Sequence, residues 1–213
     1  RVRYHRDAQR RPLWVERSSY QPHRDGAGLR LSVDVTIQSF AEAELIKSVE
    51  KYNARSGQVV VFDIRTGEVL AMANAPRFDP GELEGSTSAL RRNRCVTDVF
   101  EPGSTFKAIM WAAMTDARLA DPDDMIDTTE AGYWRSSQGR RLRDTRGHGT
   151  ITWAQVLVES SNIGMAIIGQ QMPIRDMHAA VTRFGFGRST GSGLPGEVAG
   201  IVRPAGQWNH YSQ

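Results

Sequence analysis

The sequence predicts an α+β fold, an antiparallel hairpin combined with amphipathic helices. Three stretches carry that expectation. "GQVVVFDIRTGEVLAMAN", from Gly57 to Asn74, sets two apolar, β-branched runs around a turn with glycine at position 67, which is the pattern of a hairpin. "IQSFAEAELIKSVEKY" repeats its apolar residues at roughly helical spacing. "STFKAIMWAAM" does the same with few polar interruptions, as a central helix does.

Taken in order, residues 1–28 are polar, basic and rich in turn formers, and read as extended linker or short strands. "LRLSVDV" alternates as a strand does. Asp34 or Thr36 can cap the helix expected over 36–52, whose apolar side is Ile37, Phe40, Ala41, Leu45 and Val49. Both runs of the hairpin are nearly all apolar, which predicts a central hairpin covered on both faces. Residues 75–95 read as loop. The "STFK" helix follows, with Phe106, Ile109, Met110, Ala113 and Met114 as its apolar residues. The arginine-rich stretch to Gly149 reads mostly as loop, with a short hairpin around Gly139. "TITWAQVLVESSNIGMAIIGQQM" is helical, capped by Thr152 and interrupted at Ser160, Ser161 and Asn162. "IRDMHAAVTRFGFG" is a shorter helix ending in glycines, and the tail is loop.

Composition narrows the function classes. The 213 residues, 39% of them hydrophobic, suffice for one domain or one and a half with a sizeable core. A net charge of +3 is too small to argue for nucleic acid. The basic runs "RVRYHRDAQRR" and "RSSQGRRLRDTRGH" read as solvated loops. One cysteine, Cys95, permits no internal disulfide and is expected to pack as a small apolar residue. No stretch approaches the roughly 18 apolar residues of a membrane-spanning helix, and no signal peptide is visible. The chain begins at Arg1, so a processed or trimmed piece is expected, with any anchor upstream. The histidines and Cys95 show no metal-ligand spacing, and neither metal nor other cofactor is expected. His148, beside Gly149, reads as a loop or capping residue, and Trp134, Trp153 and Trp208 as core or lid residues.

The chemistry centres on "EPGSTFK". Ser104 and Lys107 are three apart and share one face of a helix. A serine in the first turn feels the positive end of the helix dipole. A lysine hemmed by Phe106, Ile109 and Met110 is desolvated, which lowers its pKa and lets the neutral amine act as a base. The plain alternative is a capping serine followed by a surface lysine. Pro102 and Gly103 place the serine at the mouth of the helix. About fifty residues on, Ser160 and Asn162 put polar side chains in the middle of an apolar helical region, where they need partners. Such a break is either a bend or the wall of a site. Ser104-x-x-Lys107 together with Ser160-x-Asn162 is far more specific than either pair.

These two pairs match two of the three active-site motifs of penicillin-binding proteins and serine β-lactamases. "LRLSVDVTIQSFAEAEL", "SGQVVVFDIRTGEVLAMANAPRFDP", "NRCVTDVFEPGSTFK", "HGTITWAQVLVESSNIG" and "FGFG" with the later "GEVAG" together resemble the class B penicillin-binding proteins, the monofunctional peptidoglycan D,D-transpeptidases, from about residue 7 onward. The resemblance implies a serine β-lactamase/transpeptidase-like fold, an antiparallel sheet flanked by helices. It implies Ser104 as the acylated nucleophile and half of the oxyanion hole through its N–H. It implies Lys107 as the base, Ser160 as the proton relay, and Asn162 as a group holding Lys107 and the substrate amide. Glu197 resembles a recurrent family glutamate and reads as structural. The implied partners are a stem peptide ending in D-Ala-D-Ala, β-lactam antibiotics, a glycosyltransferase and division or elongation proteins. No nucleic acid is implied, and membrane contact runs only through an upstream anchor. The implied location is the periplasmic face of the inner membrane.

The third motif, K-T-G, is absent: neither Thr66-Gly67 nor Thr190-Gly191 follows a lysine. The family's sheet has five strands, and the sequence supplies only the first hairpin. The expected organisation is therefore residues 1–28 as linker from a missing pedestal domain, and 29–213 as the N-terminal part of the transpeptidase domain, without its C-terminal strands. Two other functions compete. A serine β-lactamase needs a water-activating base that nothing here identifies. A non-catalytic β-lactam sensor or division scaffold would fit the absent motif but not the intact Ser104, Lys107, Ser160 and Asn162.

Overall fold

The computed structural model describes residues 4–15, 25–136 and 139–208. Parts of the expected linker (1–3 and 16–24), the tip of the expected hairpin (137–138) and the end of the expected loop tail (209–213) lie outside the described residues. In the first segment Tyr4–Arg6 (β1) pairs antiparallel with Pro12–Val15 (β2). Asp7 organises the turn, accepting from the backbone N–H groups of Gln9 and Arg11.

Val35–Lys51 (α1) matches the expected helix to within a residue. Asp34 is its cap, accepting from the N–H groups of Thr36 and Ile37. Leu45 is buried, and with Ala41 and Val49 it packs on Ala73, Ala75 and Val59. Phe40 departs from expectation. It is 68% exposed, because the contact stripe runs through positions 41, 45 and 49 and leaves 40 on its shoulder.

The hairpin is Gly57–Phe62 (β3) and Val69–Ala75 (β4), in register from Gly57↔Ala75 to Phe62↔Val69. Its runs predict burial on both faces, and the structure differs. The alanine face of β4, at 71, 73 and 75, is buried, whereas Phe62 is 55% exposed. Among the described residues, the second face packs against the short helix Arg94–Thr97 (α2). There the Cys95 thiol lies 3.4 Å from the Ala73 carbonyl, half-buried, and burial pushes its pKa up.

The outer edge of β4 is closed by a side chain. Gln38 of α1 accepts from Met72 N–H at 2.8 Å and donates to Met72 C=O at 3.1 Å, as a paired strand would. That explains why "LRLSVDV" forms no strand despite its alternation. Among the described residues it bonds to β4 through Ser32 Oγ to Val69 C=O and Asp34 N–H to Leu70 C=O, and Leu29 and Leu31 are exposed. Among the described residues no strand pairs with the other edge of β3.

The second half of the chain is a helical cluster. Phe106–Asp116 (α3) follows a 3-10 turn at Gly103–Thr105. Met125–Asp127 (β5) pairs with Thr150–Thr152 (β8), and Tyr133–Arg135 (β6) with Arg141–Arg143 (β7), the latter being the hairpin expected around Gly139. β5 and β8 are three residues each, too short for alternation to reveal them. The helical region after Thr152 is two helices, Trp153–Val158 (α4) and Asn162–Gly169 (α5), followed by Ile174–Arg183 (α6). Thr152 caps α4 in a reciprocal capping box with Gln155.

Trp153, Val156 and Ile163 are fully buried at the centre of this cluster. The Trp111 and Trp153 rings stack, with centroids 5.7 Å apart. Both indoles are satisfied: Trp111 donates to the Trp153 carbonyl, and Trp153 to Thr115 Oγ1. The two rings therefore clamp α3 to α4 and fix the helix that follows Ser104. The His148 side chain is buried, with Nδ1 3.7 Å from Glu159 Oε2 and no hydrogen bond to Nε2 among the described residues.

Candidate active site

Pro102 and Gly103 turn the chain into the site. Gly103 has φ +60°, in the left-handed region that glycine enters without penalty. Ser104 lies in the 3-10 turn, and Thr105 already has right-handed helical dihedrals, so the turn runs straight into α3. Ser104 is exposed, and its hydroxyl has no hydrogen bond among the described residues.

Lys107 is half-buried in the first turn of α3. The spacing predicts contact with Ser104, and the structure instead turns the ammonium toward Ser160. Nζ donates to Ser160 Oγ at 3.0 Å and to the Ser160 carbonyl at 2.5 Å. Ser160 offers two acceptors where the helical hydrogen-bond ladder breaks between α4 and α5, and an ammonium with three donors uses both. Burial pushes the Lys107 pKa below the usual lysine range, and the charge of Asp144 opposes that fall.

Ser160 has φ +54°. A non-glycine residue there costs about 1–2 kcal/mol, and the flanking contacts hold it. On one side Glu159 is paired with Arg146 at 2.7 Å. On the other, Ser161 is wholly buried, accepting from Gly164 N–H and donating to Asp144 Oδ2 at 2.5 Å. Asp144 Oδ1 accepts from Asn162 N–H at 2.6 Å and from Ile163 N–H at 3.3 Å. The interruption expected at Ser160–Asn162 is thus a strained corner between two helices.

Asn162 is expected to hold Lys107. In the structure its side-chain amide donates instead to the Arg143 carbonyl at 2.9 Å, tying α5 to the end of β7. Ser160 alone among the predicted residues is bonded to Lys107. Asp144 escapes the sequence reading, and Ser161, read there only as part of the helix interruption, is given no role by it. Asp144 lies within an arginine-rich run that reads as solvated loop, and its one signal is a lone carboxylate at the end of the predicted hairpin.

Gly103, Lys107 and Asn162 line a cavity of about 400 Å³, whose apolar lining includes Met110, Met165 and Trp208. A nucleophile-bearing turn, an amine depressed by burial, a second hydroxyl on that amine and an adjoining cavity are the parts that acyl transfer through serine requires. No cluster of His, Cys, Asp or Glu suited to a metal ion occurs among the described residues.

The family described as the penicillin binding protein transpeptidase domain matches residues 57–213. The chain is 36% identical over 190 residues to a probable peptidoglycan D,D-transpeptidase, PenA, of Neisseria meningitidis, covering 89% of this chain and 32% of the relative. It is 35% identical over 181 residues to the peptidoglycan D,D-transpeptidase FtsI of Escherichia coli, covering 85% and 30%. The apo structure of the TP domain of Burkholderia pseudomallei penicillin-binding protein 3 superposes with a TM-score of 0.75 at 34% identity, covering 88% of this chain and 52% of that one. The chain spans about a third of the length of these curated relatives.

Proposed function

Because the chain belongs to the penicillin-binding protein transpeptidase family, we propose that it carries the acyl-serine centre of a peptidoglycan D,D-transpeptidase. The observation that carries this reading is the bond from Lys107 Nζ to Ser160 Oγ, one helical turn beyond an exposed Ser104 and beside the cavity.

The chemistry follows from those groups. Ser104 Oγ attacks the carbonyl carbon of the penultimate D-alanine as its proton passes to the neutral Lys107 amine. The proton moves through Ser160 to the nitrogen of the departing D-alanine, and the C–N bond breaks. An amine from a second stem peptide then attacks the ester, forms the cross-link and returns the proton to Ser104. A β-lactam enters by the same first step and stays attached, because its leaving nitrogen remains tethered. Asn162 and the Ser104 N–H would orient and polarise the carbonyl.

Residues 29–213 are the N-terminal part of the transpeptidase domain in this proposal, and 1–28 are linker from a pedestal domain. The unpaired edge of β3 supports it, since an open strand edge calls for a further strand. A peptidoglycan substrate supports a site on the outer, periplasmic face of the inner membrane, among glycosyltransferase and division or elongation proteins. No helix among the described residues is long and apolar enough to cross a membrane.

The test is the intact mass of the protein before and after incubation with a penicillin. The expected result is a stable gain of one penicillin, mapped to Ser104 by digestion and lost in Ser104→Ala. Continuous turnover of the penicillin would move the assignment to a β-lactamase. No adduct in the full-length protein would remove the catalytic reading altogether.

A further inference from the structure

Asp144 stands outside every motif of the sequence and yet makes three hydrogen bonds at the corner that Lys107 grips. Its Oδ1 takes the N–H groups of Asn162 and Ile163, at 2.6 and 3.3 Å, and its Oδ2 takes the Ser161 hydroxyl at 2.5 Å. Its own N–H donates to the Gly132 carbonyl at 3.0 Å, so the carboxylate is anchored from behind. One residue earlier, the Arg143 carbonyl holds the Asn162 amide. The loop after β7 therefore clasps Ser161, Asn162 and Ile163, immediately beyond the strained Ser160.

We propose that Asp144 is a positioning residue of this site, fixing the Ser160 corner that receives Lys107 and presenting the carboxylate charge that steadies the lysine once it is protonated. The proposal rests on the acyl-serine reading above. Its logic resembles that of a carboxylate behind a catalytic histidine, which orients the base and stabilises its charged form without taking the proton. Burial favours the neutral amine before attack, and Asp144 favours the ammonium after it. Among the described residues, Asp144, after β7, acts on Lys107 by its charge, and Arg140, before β7, lines the same cavity. From α5 and α6 the cavity receives Asn162, Met165, Met177 and Val181, none of which titrates.

Asp144→Asn separates charge from shape. The amide oxygen can still accept from the two backbone N–H groups, and its nitrogen can donate to Ser161 Oγ, which has lone pairs to spare. Asp144→Ala removes both. The experiment titrates Lys107 by NMR of its side-chain carbon and nitrogen, assigned through Lys107→Arg, and measures the rate of penicillin acylation at Ser104 against pH, both in the full-length protein. In Asp144→Asn, Lys107 is expected to titrate at lower pH than in the wild type, and the acid limb of acylation to move with it. Asp144→Ala is expected to acylate about 10- to 100-fold more slowly, the cost of a misplaced catalytic group. An unmoved Lys107 titration in a folded Asp144→Asn protein would overturn the proposal, as would wild-type acylation in Asp144→Ala. A wild type that is never acylated would sink the acyl-serine reading instead, and the lysine titration would still decide whether Asp144 acts on Lys107.

Discussion

Lys107 and Ser160, 53 residues apart in the chain, are joined by a hydrogen bond of 3.0 Å from Nζ to Oγ. The same nitrogen also holds the Ser160 carbonyl, so one side chain links the start of α3 to the break between α4 and α5. If that nitrogen is the base, Lys107→Ala loses acylation by about 10²- to 10⁴-fold, the span that positioned acid–base groups contribute. Lys107→Arg keeps the positive charge and still loses the rate, because a guanidinium does not deprotonate in this range. Stopped-flow or mass-resolved acylation by a penicillin measures both. Retained activity in either variant would assign the base elsewhere.

The acylation rate should depend on pH in a defined direction. If Lys107 is the base, its neutral amine is the active form, so the rate rises as pH passes upward through the Lys107 pKa and then levels. Burial depresses that pKa below its ordinary 10.5, so the plateau is reached at lower pH than an exposed lysine would give. A pH–rate profile of acylation checks this. A rate that keeps climbing to pH 10.5 would show a lysine without effective desolvation.

Gly164 is predicted to be irreplaceable for packing. A Cβ there would lie 2.5 Å from Val156 Cγ2 and 3.2 Å from Thr128 Cγ2, and both residues are fully buried. Alanine is the better helix former by about 1 kcal/mol, but overpacking a closed core costs about 1–3 kcal/mol. Gly164→Ala should therefore lower the midpoint of urea unfolding. In a Val156→Ala background the same substitution should be neutral or stabilising, because the two nearest methyl groups in its way are gone and the one left, that of Thr128, lies at 3.2 Å.

Much of this arrangement is legible in the residues, and what is missed has a physical pattern. α1, the β3–β4 hairpin, the Thr152 cap and the break at Ser160 follow from periodicity and local chemistry. The strands of three residues do not, since three positions cannot show alternation. "LRLSVDV" fails as a strand because Gln38, just beyond it in the first turn of α1, occupies the sheet edge it would need, and nothing in the alternation of the stretch announces that competition. The same holds at the site. Ser104, Lys107, Ser160 and Asn162 announce themselves by spacing, but which of them bond depends on the fold. Asp144 is visible only when β7 brings it to the start of α5.

Glu197 ties its loop through three short bonds, from Thr190 N–H at 2.5 Å, Thr190 Oγ1 at 2.7 Å and Ser192 Oγ at 2.9 Å. Those donors lower its pKa from 4.5 to about 2. The folded carboxylate is thus favoured over the unfolded one, and its stabilisation is fully present above pH 4.5 and lost as pH falls through about 2. Glu197→Gln should speed hydrogen exchange at Thr190 near neutral pH. The gap from the wild type should close toward pH 2. A gap that persists at pH 2 would mean that shape, not charge, holds the loop.

Ser160 separates strain from chemistry in a single pair of variants. Its φ of +54° is unfavourable for any side chain with a Cβ and free for glycine. Ser160→Ala and Ser160→Gly both delete the hydroxyl that Lys107 contacts. Both should lose acylation to a similar extent, about 10²-fold or more if the hydroxyl carries the proton. Their stabilities should diverge. Glycine relieves the backbone and alanine does not, so Ser160→Gly should be the more stable of the two by about 1 kcal/mol. Glycine's greater freedom in the unfolded chain offsets part of that gain, which makes the sign of the difference the informative quantity. Chemical unfolding of the two variants, alongside their acylation rates, gives both numbers. An alanine variant as stable as the glycine one would mean that Glu159, Ser161 and Asp144 no longer hold the corner once the Lys107 contact with the hydroxyl is lost, and that the strain is a consequence of that contact.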